Sequence, residues 1–238
     1  IEHENALWKR VLTQWVLAST NRFAVHTIQD RDHLSRIFPQ AKILVHPHPI
    51  YDQFPKAIGN LSPRADLELL FFGFVRPYKG LDLLIDALSY LKDRSIKLTI
   101  AGEFWSGIND IIRRIDHCGV TEMVELRPTY HSEEDIAEIF ARADVVVLPY
   151  RSATGSGIIT LAYYYGRPVI ATRVGGLQDV VRDGVTGWLV TPNCTEALAR
   201  TIASVSRNKA LSMRPDIADF AKTLSWDGLS VALLSSLD

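Results

Sequence analysis

Between residues 67 and 190, six short apolar runs alternate with stretches whose apolar residues recur every three or four positions, and this alternation restricts the chain to few folds. The runs are 67–72, 98–101, 123–126, 145–148, 169–171 and 188–190. They are too short for buried helices and rich in branched aliphatic side chains, so they read as strands. The intervening patterns, Leu81/Leu84/Ile85/Leu88/Leu91, Ile108/Ile111/Ile112/Ile115 and Ile136/Ile139/Phe140, keep the helical period. Strand–helix repetition builds a parallel sheet with helices on both faces and right-handed crossovers, and strands buried on both faces lose their polar alternation. The expected fold is α/β, a doubly wound, Rossmann-like parallel sheet of six strands.

The 26 basic and 27 acidic residues leave a formal charge of −1, so no overall field favours nucleic acid and an anionic ligand has to be met locally. Cys118 and Cys194 form no metal-ligand spacing and no disulfide framework, which points to a reducing, cytoplasmic setting. No apolar run approaches the roughly 20 residues that span a bilayer, and Ile1-Glu2-His3-Glu4 does not start a signal peptide. A chain beginning at Ile1 is expected to be a processed or excised portion of a longer one.

Residues 1–65 have a different character. A helical stretch over 7–17, a short strand at 22–27, a charged helix over 29–37 and a run at 43–45 lead into His46-Pro-His-Pro49, which continues neither a helix nor a central strand. This is expected to be a crossover between two lobes. The His-x-His pair also invites a metal, but the proline between the histidines and the lack of a nearby third ligand favour a rigid linker. At the other end, 220–234 reads as a last helix, with Ser225 as a cap before Trp226.

In a doubly wound sheet, ligands bind beyond the carboxyl ends of the strands where the strand order reverses, flanked by the loops after the first and fourth strands. Those loops are Gly73-Phe-Val-Arg-Pro-Tyr-Lys-Gly80 and Tyr150-Arg-Ser-Ala-Thr-Gly-Ser-Gly157. The first carries Arg76 and Lys79; the second carries Thr154, Gly155, Ser156 and Gly157 at a helix start, where unpaired amides and the helix dipole favour anions. Together they suit a diphosphate. A plain cap and two solvated cations would explain the same residues. No Gly-x-Gly-x-x-Gly follows the first strand, and neither a Walker loop nor a Gly-x-Ser-x-Gly elbow is present.

The ordered series Gly73, Lys79-Gly80, Asp82, Ala101-Gly102-Glu103, Ala143-Asp144, Gly166-Arg-Pro-Val-Ile-Ala171, Val174-Gly-Gly176, Asp183-Gly184 and Gly187-Trp-Leu-Val190 resembles the C-terminal, nucleotide-sugar-binding half of GT-B glycosyltransferases of group 1 (GT4). The likeness covers most of 66–207. It implies a tail of the acceptor lobe and crossover over 1–65, a nucleotide-sugar-binding domain over 66–207 and a C-terminal helical segment over 208–238. The implied activity is retaining, metal-independent transfer from a nucleoside-diphosphate sugar, of UDP or GDP type, to an acceptor glycan or lipid-linked sugar. No cofactor is implied, and nucleic acid is no partner.

The resemblance further implies that Arg76, Lys79, Thr154, Gly155, Ser156 and Gly157 hold the diphosphate. Arg127 and Tyr130 would hold the base and ribose, and Gly73 and Ala153 would lie beside the donor sugar. Catalytic groups are expected from the acceptor lobe. The family's two glutamates fall on Ala153 and Leu161, and its phosphate arginine falls on Phe74, so Arg76 would have to reach in instead. Gly175 and Gly176 fit a close backbone turn. A peripheral position at the inner membrane face remains compatible, though Leu7 to Leu17 with Lys9 and Arg10 does not argue for it. The rival expectations are a nucleotide-sugar epimerase and a non-catalytic interaction module on the same sheet. The loop 151–157 holds no carboxylate or histidine for epimerase acid–base chemistry.

Overall fold

In the computed structural model, which describes residues 15–56, 61–105 and 107–236, the strands β3 (Leu67–Phe72), β4 (Ile96–Ala101), β5 (Val124–Arg127), β6 (Val145–Leu148), β7 (Val169–Thr172) and β8 (Gly187–Val190) form one sheet. Its order is β5-β4-β3-β6-β7-β8, every neighbouring pair is parallel, and the order reverses between β3 and β6. This is the doubly wound arrangement expected from the sequence. All four residues of β6 and of β7 are buried, as befits central strands covered on both faces. The expected strands 98–101, 123–126 and 188–190 each shift by one or two residues, Met123 lying instead in a short 3-10 turn before β5.

Ahead of the sheet, β1 (Arg22–Val25) and β2 (Lys42–Val45) make a separate parallel pair joined through α1 (Ile28–Ile37). The expected strand 22–27 ends early because Thr27 serves as the cap of α1, its hydroxyl accepting the Asp30 amide. The expected helix over 7–17, with Lys9 and Arg10, lies for the most part outside the described residues. No described helix is long and apolar enough to cross a membrane.

The sheet is covered by α2 (Leu81–Ser89), α3 (Ile108–His117), α4 (Glu133–Arg142), α5 (Gly157–Tyr164), the short α6 (Leu177–Val180) and α7 (Thr195–Ser204). In α2 the residues Leu81, Leu84, Ile85 and Leu88 are buried, the helical period read from the sequence. After α8 (Arg207–Ser212), α9 (Arg214–Lys222) buries Ile217 and sets Phe220 edge-on to Tyr163 of α5.

The single helix expected over 220–234 is a correction: α9 stops at Lys222, and α10 (Trp226–Ser235) begins anew. Ser225 is the cap foreseen, its hydroxyl accepting the Gly228 amide. The break is where the segment after β2 docks. The Leu224 carbonyl accepts the Ile50 amide at 2.8 Å, and the Trp226 indole donates to the Ile50 carbonyl at 3.0 Å. A chain leaving a helix there gains partners for backbone groups that would otherwise be spent within it.

Candidate functional site

Beyond β3 the chain turns at Gly73 (φ +94°) and then at Gly80 (φ +66°), which leads directly into α2. Between them Pro77–Lys79 forms one 3-10 turn, started by the φ that proline supplies. This turn points Lys79 inward. The residue is buried, with a relative exposure of 7%. The ammonium lies so near the Gly73 backbone that a Cβ there would stand 3.2 Å from Nζ. Among the described residues it has no hydrogen-bond acceptor and no carboxylate partner. The Tyr150 ring centroid is 5.7 Å away. Burial, assisted by the Arg76 charge, lowers the Lys79 pKa from 10.5 to about 8.

Beyond β6, the second loop is strapped to the first. The Arg151 amide donates to the Tyr78 carbonyl at 2.7 Å, and its guanidinium forks onto the Asp82 carboxylate at 2.8 and 2.7 Å while also reaching the Pro77 carbonyl at 3.0 Å. Burial acts to raise the Asp82 carboxyl, but the Arg151 guanidinium outweighs it and holds the pKa below the ordinary value. Further along, the Ser156 hydroxyl caps α5 by accepting the Ile158 amide at 3.3 Å and lies 3.4 Å from the Tyr150 hydroxyl. Tyr150 is 3% exposed, and that burial pushes its phenol up.

The two loops enclose a hollow of about 450 Å³ in which Lys79 faces Gly155, Ser156 and Gly157 at the start of α5. Of the amides at this helix start, that of Ile158 is taken by the Ser156 hydroxyl and that of Ile159 by the Ser156 carbonyl, while those of Ser156 and Gly157 have no partner among the described residues, and the helix dipole adds positive potential to that of the ammonium. Such a pair of features holds a doubly charged, compact anion. The remaining wall comes from Tyr51, Phe54, Tyr78, Tyr150, Ile158 and Leu161.

Other residues singled out from the sequence lie elsewhere. Arg76 stacks over the Trp105 ring, 4.0 Å from its centroid, and Phe74 meets the same ring edge-on at 5.6 Å. Thr154 lines a separate cleft of about 760 Å³ beside α1, and its carbonyl accepts the Gly176 amide. Arg127 is held by Glu125 at 2.7 Å and Tyr130 is 79% exposed; neither borders the hollow. Ala153 presses its carbonyl on Gly175, where a Cβ would come within 1.6 Å of it, which confirms a close turn at that glycine. Leu161 does line the hollow, 4% exposed, as an apolar wall. His46 and His48 aim their Nδ1 atoms at the carbonyls of Pro47 and Pro49.

Tyr51, Tyr78 and Tyr150 were not foreseen. Tyr78 and Tyr150 belong to the two loops read from the sequence and could have been found there. Tyr51 arrives from the segment after β2 and had no such signal.

Arg151→Met is expected to lower stability by about 1–2 kcal/mol, because Asp82 is left half-buried without its partner while solvent screens part of the loss. Urea denaturation at pH 7 reads this directly. Since the Asp82 pKa is depressed in the folded state, the strap contributes above the ordinary aspartate range, and the difference between variant and parent should shrink as pH falls below about 4.

The profile of the family described as Glycosyl transferases group 1 matches residues 66–208. A D-inositol 3-phosphate glycosyltransferase of a Mycobacterium species is 31% identical over 236 residues, 94% of this chain and 53% of the relative. One from Streptomyces avermitilis is 30% identical, over 89% of this chain and 50% of the relative. The chain thus spans about half the length of these curated relatives. Among solved structures, sucrose-phosphate synthase from Thermosynechococcus elongatus superposes with a TM-score of 0.82 at 21% identity, covering 98% of this chain and 61% of that one. Anabaena HepE, solved with UDP and glucose, gives 0.72 at 19% identity over 92% and 64%.

Proposed function

This chain belongs to the group 1 glycosyltransferases, whose profile covers well over half of it, and from that premise we propose that it is the donor-binding half of an enzyme that moves a sugar from a nucleoside diphosphate to an acceptor glycan or lipid-linked sugar. One observation carries the reading: a buried lysine whose ammonium has no partner among the described residues shares a hollow with the first turn of α5. As the glycosidic bond to the diphosphate breaks, negative charge gathers on the leaving oxygens. Lys79 and the amides of Ser156 and Gly157 are oriented before that charge appears, and a site of low polarity magnifies their effect. These groups perform the charge neutralisation in a metal-independent reaction.

Retention of configuration, GT4 membership and a hexosyl donor follow from the family resemblance. A UDP-type donor is favoured by the UDP bound in Anabaena HepE. With Leu161 as an apolar wall, the nucleoside is held by aromatic surface more than by a carboxylate. Acceptor contacts and the groups nearest the reacting carbon come from the partner lobe, so the chain alone binds nucleotide better than it turns over.

Thermal midpoints with UDP, GDP and ADP test the site, because a ligand confined to the folded state must raise them. Flat midpoints with all three would favour a non-catalytic module, and efficient transfer by the chain alone from a panel of nucleotide sugars would overturn the half-enzyme reading. The affinity should also depend on pH. The diphosphate selects protonated Lys79, so UDP binding is expected to weaken about tenfold between pH 7 and pH 9, as a group titrating near 8 gives up its proton. Calorimetric titration at both pH values measures this.

A further inference from the structure

Tyr51 reaches the hollow from the crossover, outside both loops of the sheet. Just before it, Ile50 is pinned by bonds to Leu224 and Trp226. The Tyr51 ring packs against His48 at 5.0 Å and Phe54 at 6.0 Å. Its hydroxyl is thereby brought over the first residue of α5, where a Cβ on Gly157 would stand 2.8 Å from the oxygen and 3.1 Å from the ring edge. Glycine at this position permits that approach. The phenol and the nine-tenths-buried Lys79 therefore border the same hollow as the helix start.

Among the described residues the hydroxyl has one hydrogen-bonding neighbour, a weak one. His48 Nε2 lies 3.5 Å away, at the outer limit of a hydrogen bond. His48 Nδ1 is 2.6 Å from the Pro49 carbonyl and must donate to it, which leaves Nε2 as the acceptor in the neutral ring. At this separation the phenol proton is loosely held, and an anionic oxygen is a much stronger acceptor.

We propose that the Tyr51 hydroxyl donates directly to the diphosphate, making the crossover a third wall of the anion site together with the two sheet loops. This rests on the reading above that a nucleoside diphosphate occupies the hollow. An anion held at once by Tyr51, Lys79 and the start of α5 ties the crossover to the sheet, so donor binding stiffens the link through which a partner lobe connects.

The test is Tyr51→Phe, which keeps the ring and removes one oxygen. Calorimetric titration of the whole chain with UDP and with inorganic diphosphate should show affinity about tenfold lower for both, as expected for a lost hydrogen bond to a charged group, at an unchanged melting midpoint. Hydrogen exchange adds a second readout: UDP should slow exchange at the amides of Ile50, Tyr51 and Asp52 in the parent and not in the variant. Equal affinities, retained protection, or a loss of affinity matched by a fall in midpoint would overturn the proposal. If the parent itself binds neither UDP nor diphosphate, the occupancy reading fails first and the role of Tyr51 with it.

Discussion

Replacing Lys79 by methionine is expected to stabilise the chain at neutral pH and to weaken UDP binding about a hundredfold or more. The two effects have one cause. The lysine is largely withdrawn from water without its ammonium gaining a partner among the described residues, and its pKa falls from 10.5 to about 8. A lowered lysine pKa means the unfolded chain binds the proton more tightly. The penalty is therefore complete below pH 8 and disappears as pH rises through the unfolded value near 10.5. A shift of this size corresponds to roughly 3 kcal/mol, an upper figure for what methionine could restore while filling similar volume. Among the described residues lining the hollow the same ammonium is the one side-chain cation, and losing a buried charge partner costs an anion about 3–5 kcal/mol. Denaturation at pH 7 and above pH 10 gives the first quantity: the stabilisation should be present at the former and nearly absent at the latter. Titration with UDP gives the second, and the slope between pH 7 and 9 should vanish in the variant. A fall in stability with unchanged UDP affinity would assign Lys79 to the scaffold.

The features legible in the sequence are those fixed by local chemistry. The continuous apolar runs of β6 and β7 announce burial on both faces, and the reversal of strand order brings the loops 73–80 and 150–157 together. Lys79 could be found because glycine closes its turn and proline opens it. Charge alone, however, does not give direction. Arg76 looks equivalent to Lys79 in sequence, yet the exposed face of Trp105, from the loop after β4, draws its guanidinium aside. Thr154 likewise lies one residue before the hollow's glycine but turns toward α1, because Gly176 takes its carbonyl. Tyr51 and the break before Ser225 were hidden for a shared reason. Both depend on Ile50 meeting Leu224 and Trp226, contacts between segments far apart in the chain that leave no trace in hydrophobic periodicity.

Close approach of backbones, the least visible determinant, leads to the largest stability effect expected here. Gly80 stands where the first loop enters α2, in the left-handed region at φ +66°, and it abuts the carbonyl of Pro149 at the end of β6. A Cβ at that point would lie 2.1 Å from the Pro149 oxygen and 3.1 Å from its carbon, and the obstacle is main chain, which cannot swing aside as a side chain could. Gly80→Ala therefore carries about 1 kcal/mol for the left-handed conformation, and relief of the overlap needs the two loops to separate by the better part of an ångström. That separation pulls on Arg151, which spans from the second loop to Pro77 and Asp82, so the strap is strained as well. The total loss of stability is expected to reach about 3–5 kcal/mol, in the range reserved for backbone collisions and broken networks. Lys79, the adjacent residue, would be displaced from the start of α5, and UDP affinity should fall with stability, unlike the opposed signs expected for Lys79→Met. Denaturation and UDP titration of Gly80→Ala measure both. A near-neutral effect on stability would mean that the loops can part freely, and the preorganised diphosphate site would have to be given up.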